Sequence, residues 1–219
     1  MISKLPRWVW FFAWVFAFIA GIINVVGLVG FTHQAITHLT GNTSMLAAAL
    51  ASFDLSGILH FAAVIGSFLA GTILSGFIIQ DSTLQLGRRY GVVLILESAL
   101  LFLAAPLLDR HYPSGLYAAA CACGLQNAMA TTYSGTVVRT THISGMFTDL
   151  GIFLGHRLRG LPVDAKRINM CFLVISGFLC GGITGALAFR SIGYLTLFIP
   201  AGIAGTVAFS YATYQFRKK

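Results

Sequence analysis

Charged residues are the scarcest class in this sequence. Only 9% of the 219 residues are charged, whereas soluble domains carry about 25%. Apolar residues make up 57%. So few charges cannot cover a water-facing surface, which excludes an ordinary soluble domain. No stretch outside the apolar runs is long enough to form a core, so we expect a single membrane domain over residues 1–219.

Acidic residues are especially few, and the formal net charge is therefore +8. A basic chain can bind nucleic acid. Here, however, the lysines and arginines sit in short loops between apolar runs, as they do in membrane proteins. We therefore expect no nucleic-acid partner. No Gly-x-x-x-x-Gly-Lys motif is present either, so direct ATP drive by this chain is not expected.

The few cysteines do not suggest a cofactor site. All four lie inside apolar runs, and the two in Cys121-x-Cys123 would point to different sides of a helix. Free cysteine usually packs as a small hydrophobe. We expect no metal site and no cofactor.

Long apolar runs are what the sequence has in abundance. A spanning helix needs about 20 apolar residues, and six runs reach or approach that length. The first is longer than the apolar part of a signal peptide, so we interpret it as a retained helix. Two weaker segments each have a polar start and then enough apolar residues for roughly half a bilayer. The runs are 8–31, 58–79, 91–108, 115–138, 168–189 and 192–216, and the weaker segments are 32–56 and 139–157.

The distribution of basic residues favours six spans with both termini in the cytoplasm. If the weaker segments are re-entrant, every lysine and arginine except Arg110 and Arg190 faces the cytoplasm. If both segments cross the membrane, Arg88, Arg89, Arg139 and Arg190 face outward instead. The positive-inside rule prefers the first arrangement, although eight spans stay open.

An internal repeat divides the chain into residues 8–110 and 115–216. Three pairs of segments match in the same order. Three spans per half would make the second half inverted relative to the first. Inverted repeats with broken helices are typical of transporters, whose binding sites lie where the breaks meet. The matched pairs are Gly21–Asn24 with Gly124–Asn127, Thr37–Gly41 with Thr141–Gly145, and Ser67–Gly71 with Gly177–Gly181.

Several of these segments also carry a family resemblance. The motifs are Thr40-Gly41-Asn42-Thr43, Gly124-Leu125-Gln126-Asn127, and Ser144-Gly145 followed by Thr148-Asp149-Leu150-Gly151. Together they resemble the YoaK-like bacterial inner-membrane proteins over nearly the whole chain. The resemblance implies a multi-pass protein of the bacterial inner (plasma) membrane, of a kind often described as a permease. In that family the first helix often carries an Asp where this chain has Asn24.

Polar residues at the two breaks are the candidate binding residues. Thr40, Asn42 and Thr43 suit the start of a short helix at 43–53, where they could cap free N–H groups or face a solute. The two histidines occupy matched positions, and the mid-helix amides could join helices or line a path. The full set is Asn24, His38, Thr40, Gly41, Asn42, Thr43, Gln126, Asn127, His142, Ser144, Gly145 and Thr148.

Two acidic residues are candidates for coupling to an ion or proton. Glu97 is the only acidic residue well inside a long apolar run, and Asp149 lies in the second weak segment. Ionisable groups at membrane depth are costly and are often functional. Asp149 could instead stabilise the positive N-terminal end of its own helix, and Glu97 could simply be hydrogen-bonded between helices.

These features favour an all-α polytopic membrane protein that transports, or forms a channel for, a small polar or anionic solute. Its site is expected between the two broken helices at the bilayer midplane. Its other partner is the lipid bilayer, and a homo-oligomer is compatible with the sequence. One alternative is an intramembrane serine-protease-type enzyme using Ser144, which lacks a convincing base. The other is a non-transporting membrane scaffold. We expect that the chain is not an enzyme.

Overall fold

The computed structural model describes residues 6–80, 89–135 and 139–217, with the backbone only for Arg7 and residues 214–217. Its secondary structure is entirely helical within those ranges, as predicted. The helices are α1 (Arg7–Val29), α2 (Leu39–Ala51), α3 (Leu55–Ile79), α4 (Arg89–Asp109), α5 (Ser114–Ser134), α6 (Ile143–Leu158), α7 (Ala165–Ile192), a short 3₁₀ helix (Gly193–Leu197) and α8 (Phe198–Arg217).

Four stretches of the described chain are long and apolar enough to cross a membrane. They are Trp8–Val29, Leu55–Ile79, Arg89–Asp109 and Ala165–Thr213. The last contains both α7 and α8, which the 3₁₀ helix separates. α5 is not among them, because it carries Gln126, Asn127 and many small residues.

The outer surface of the helices is apolar. On α3, for example, the side chains of Leu59, Ile73 and Phe77 are each more than half exposed. Large exposed apolar faces on long helices are typical of lipid contact and would be a liability in water. The chain is therefore a helical membrane protein.

The helices pack in two matching pairs. α1 packs mainly along α7, and α5 packs mainly along α3. A Cβ at Gly21 would overlap the carbonyl oxygen of Phe178, and a Cβ at Gly124 would overlap that of Phe68. Both crossings thus bring two backbones together at a glycine, as small residues allow in membrane helices. These four residues belong to the segments that match in the sequence.

The short helices also occupy matching places. α2 packs on α3, and α6 packs on α7. The predicted helix start at residue 43 is wrong, because α2 begins at Leu39 and has His38 as its N-cap residue. Thr40, Asn42 and Thr43 therefore lie inside the first turns rather than before them.

The interior consists of two apolar clusters stacked along the bundle. One includes Val9, Leu94 and Met129, and the other includes Ile22, Leu101 and Leu116. α1, α4 and α5 contribute to both clusters. Glu97 lies between Leu94 and Leu101, and so sits at the junction of the two clusters near the middle of α4.

Candidate functional site

The two breaks fold alike at the start of their short helices. His38 and His142 are N-cap residues with φ angles of −97° and −94°. Neither side chain caps its helix. Each imidazole lies beside the glycine three residues later, close to where a Cβ of Gly41 or Gly145 would be. A bulkier residue at those two positions would displace the ring.

Most polar side chains of the two motifs face outward. The hydroxyl of Ser44 donates to the carbonyl of Thr40, and that of Thr148 donates to the carbonyl of Ser144, each at 3.0 Å. These hydroxyl groups are satisfied within their own helix, so they do not cap it. The exposed members are His38, Thr40, Thr43, His142, Ser144, Thr148 and Asp149.

The two short helices, which were expected to bound one cavity, do not pack against each other. Across the described residues, these two helices do not contact each other. Asp149 is exposed and is the seventh residue of α6, beyond the first turn in which a helix dipole acts. The expectation that Asp149 stabilises the start of α6 is therefore wrong, and the sequence-predicted residues divide between separate places.

One buried network joins the first break to α3 and α5. Gln34 donates from Nε2 to Asn42 Oδ1 at 2.7 Å, and Asn42 Nδ2 donates to the carbonyl of Ala35. His60 lies 2.7 Å from Gln34 Oε1 through Nε2 and 3.1 Å from the Tyr117 hydroxyl through Nδ1. Asn42 thus belongs to this network as a structural link.

Helix α1 also makes hydrogen bonds to the first break. Asn24 Oδ1 accepts from the backbone N–H of Thr37 at 3.1 Å and from its hydroxyl at 2.8 Å. Asn24 therefore satisfies backbone that the helix break leaves free. An Asp at this position would accept the same two bonds.

A second network contains the buried acid. Gln126 Nε2 donates to Glu97 Oε1 at 2.7 Å, and Gln126 Oε1 accepts from the hydroxyl of Thr140 at 3.2 Å. All three residues are fully or almost fully buried. Within the described chain, Glu97 Oε2 has no hydrogen-bond partner, and neither has Oδ1 of Asn127, which follows Gln126 in α5. A buried unpaired acceptor is costly, so Glu97 is open to a proton or a cation.

Five residues of these networks were not among the site residues predicted from the sequence. They are Gln34, Thr37, His60, Tyr117 and Thr140. The available signal was that Gln34, Thr37 and Thr140 lie in the predicted breaks, where free backbone and side chains must find partners. Nothing in the sequence indicated that α3 and α5 would bring His60 and Tyr117 to the first break.

A cavity of about 510 Å³ opens between α1, α4, α5 and α8. Aromatic residues are the largest group on its wall: Trp8, Phe11, Phe12 and Phe16 come from α1, and Tyr90, Tyr133 and Tyr211 come from the other three helices. The ring centroids of Trp8 and Tyr133 are 5.1 Å apart, and those of Tyr90 and Tyr133 are 5.7 Å apart. Nothing in the sequence pattern had indicated this cavity.

The cavity lies where the matched packing fails. In the internal repeat, α1 matches α5, and α4 matches α8. The contact between α4 and α5 should therefore have an equivalent between α8 and α1. α4 packs closely along α5, but α1 and α8 barely touch. A four-residue turn joins α4 to α5, whereas α1 and α8 are far apart in the sequence. We call the gap between α1 and α8 the seam, and the cavity of about 510 Å³ that lies there the seam cavity.

The seam cavity ends one helical turn from the buried acid. Leu94 lines the cavity, and Glu97 follows three residues later on the same face of α4. On α5, Met129 lines the cavity and Gln126 precedes it by three residues. The Glu97–Gln126 pair therefore lies just beyond the inner end of the cavity.

No metal centre is evident in the described part of the chain, where no three His, Cys, Asp or Glu residues are grouped closely enough. Comparison with known proteins gives one finding. No curated protein and no solved structure matches the chain. A family model described as "Protein of unknown function (DUF1275)" matches residues 12–210, in agreement with the YoaK-like resemblance. Because this match covers well over half of the sequence, the chain belongs to the DUF1275 family.

Proposed function

We propose that the chain is a six-span membrane transporter whose solute enters the seam cavity and whose coupling group is Glu97. The single observation that carries this proposal is the position of a fully buried acid one turn beyond a cavity large enough for a small molecule. Binding sites for small molecules typically occupy about 300–1,000 Å³. Intramembrane acids often mark ion and proton pathways.

The six-span architecture rests on the packing of the two halves. We count α1, α3, α4, α5, α7 and α8 as spans and treat α2 and α6 as helices that enter only part of the bilayer. At 1.5 Å per residue, the 13 residues of α2 cover about 20 Å, less than a bilayer core of about 30 Å. The repeated glycine crossings and the repeated histidine N-caps support two halves of opposite orientation.

The orientation rests on charge. The seam cavity lies near the N-terminal ends of α1 and α4 and the C-terminal ends of α5 and α8. The positive-inside rule assigns this side of the bundle to the cytoplasm of a bacterial inner membrane. We therefore place both termini and the mouth of the seam cavity on the cytoplasmic side.

The solute expected from the sequence was small and polar or anionic, bound between α2 and α6. The separation of those helices moves the proposed site to the seam. A cation is favoured there over an anion, because the Glu97 carboxyl can give up its proton and become the opposite charge of a cation, whereas it offers no positive charge to an anion. A small polar solute stays an alternative that the same assay tests.

The position of Ser144 supports transport rather than serine-protease-type catalysis. Ser144 is exposed at the start of α6, and the neighbouring His142 ring packs beside Gly145. We therefore propose that the chain is not a serine-protease-type enzyme. Stoichiometric labelling of Ser144 by a fluorophosphonate probe would contradict this.

Uptake into proteoliposomes tests the proposal. Pools of cationic, neutral polar and anionic solutes are offered to vesicles that hold wild-type protein, Glu97→Gln or Asp109→Asn. Asp109 is the matched control, because it is an exposed acid on the same helix. We expect uptake from at least one pool, lost in Glu97→Gln and kept in Asp109→Asn. Uptake from no pool by folded protein would refute transport.

A further inference from the structure

We propose that the seam cavity binds an organic cation with an apolar, aromatic-compatible body, and that Glu97 supplies the opposite charge at its inner end. The inference rests on the proposed function only in using the same cavity, and binding is tested separately from transport below.

The cavity wall selects for an apolar body. Seven of its sixteen lining residues are aromatic, and the rest are mostly aliphatic. The polar side chains on the wall carry hydroxyl groups, as in Ser134, Thr206 and Ser210, apart from the indole N–H of Trp8. A strongly hydrated solute would lose most of its hydrogen bonds there, whereas a ligand with an apolar surface would lose little.

The same wall favours positive over negative charge. Aromatic ring faces carry negative potential and attract cations within about 6 Å of the ring centre. Trp8 and Tyr133 place two such rings 5.1 Å apart, and Tyr90 adds a third beside them. Among the side chains that the structure describes, no lysine, arginine or histidine lines the cavity. An anion would therefore find no opposite charge on the described part of the wall.

Glu97 carries the acidic group near the inner end of the cavity. Its side chain is fully buried, and its Oε2 atom has no hydrogen-bond partner. Leu94 and Met129 line the cavity one turn from Glu97 and Gln126, on α4 and α5 respectively. Methionine is flexible and readily changes rotamer. A bound cation that displaces these two side chains would approach an acceptor that the fold leaves unpaired.

Two probes of the same shape and opposite charge test this. Tetraphenylphosphonium and tetraphenylborate are offered to purified protein in lipid nanodiscs, and binding is measured by equilibrium dialysis after subtraction of the amount that protein-free nanodiscs of the same lipid take up. The proteins are wild type, Glu97→Gln, Glu97→Asp and Asp109→Asn. We expect wild type and Asp109→Asn to bind the cation at least about tenfold more tightly than the anion. Glu97→Gln should lose most of that preference, because only the aromatic wall then favours the cation, and Glu97→Asp should keep more of it than Glu97→Gln does.

Equal or tighter binding of tetraphenylborate to wild type would overturn the inference, and so would an unchanged preference in Glu97→Gln. If Glu97→Gln does not fold, the comparison of the two probes on wild type still decides. Charge-selective binding without uptake would leave this inference standing and refute transport. Uptake confined to anions would refute this inference and leave transport standing.

Discussion

At the scale of single residues, glycines set how closely the helices approach. A Cβ at Gly71 would overlap the Cys121 carbonyl, and a Cβ at Gly181 would overlap that of Phe18. On the same two helices, Gly66 and Gly182 face open space, with no atom within 4 Å of a Cβ. The two kinds of glycine cannot be distinguished by composition, and only the matched segments marked Gly71 and Gly181 as special.

This difference gives a prediction with a control in each half. Gly71→Ala and Gly181→Ala should each lower the free energy of unfolding by about 1–3 kcal/mol, because the backbones must move apart. Gly66→Ala and Gly182→Ala should change it by less than about 0.5 kcal/mol. Denaturant titration in mild detergent measures all four. Equal losses at the four positions would show that the crossings are not close-packed.

Buried polar residues were only partly predictable at this scale. Glu97 and Gln126 stood out because they interrupt apolar runs, and both are buried in the structure. Thr43 and Thr148 stood out equally, yet they are exposed. The sequence marks a polar residue in an apolar helix, but the direction in which it points depends on which neighbours the helix packs against.

At the scale of elements, the two breaks are alike at their helix starts and different in what they bury. Extending the matched segments of the repeat pairs Asn42 with Met146 and His60 with Met170. Both methionines are buried in the same apolar cluster. Gln34 matches Val138, which lies outside the described residues. The first break is thus held by hydrogen bonds, whereas the two described counterparts in the second half are held by apolar packing.

Replacing residues of the first break with their counterparts from the second half tests this account. Asn42→Met alone should lower the free energy of unfolding by about 1–3 kcal/mol, because Gln34 then loses a buried partner. The triple variant Gln34→Val, Asn42→Met, His60→Met removes the network together, so its loss should be smaller than the sum of the three single losses. Unfolding of the three single variants and the triple variant measures this. An additive triple variant would contradict a linked network.

At the scale of the whole molecule, the arrangement of spans gives a topology prediction. Pro113, in the turn between α4 and α5, and Leu161, between α6 and α7, are both exposed. In a cysteine-free variant, Cys placed at position 113 should react with an impermeant thiol reagent on intact cells. Cys placed at position 161 should react only after the membrane is opened. The reverse result would refute the six-span orientation.

The membrane class, the helical runs and the short helices could be predicted from the sequence because long apolar stretches and polar interruptions are local signals. The seam could not, because it depends on α1 and α8, which are far apart in sequence and make little contact. Its aromatic lining comes from four helices, and no single stretch shows it. The packing of α2 and α6 could not be predicted for the same reason: the two helices make no contact in the described residues, and matched motifs do not fix the distance between them.

The central claim is that solute enters through the seam between α1 and α8. Phe12 and Val207 line the cavity from these two helices, so Phe12→Cys with Val207→Cys allows the seam to be closed by a reducible bifunctional thiol reagent. Ala49→Cys with Gly57→Cys is the control, because it joins α2 to α3 near the point where a Cβ of Gly57 would lie 3.1 Å from that of Ala49. We predict that bridging the seam abolishes proteoliposome uptake, that reduction restores it, and that bridging the control pair leaves it unchanged. Full uptake through a bridged seam would contradict the account.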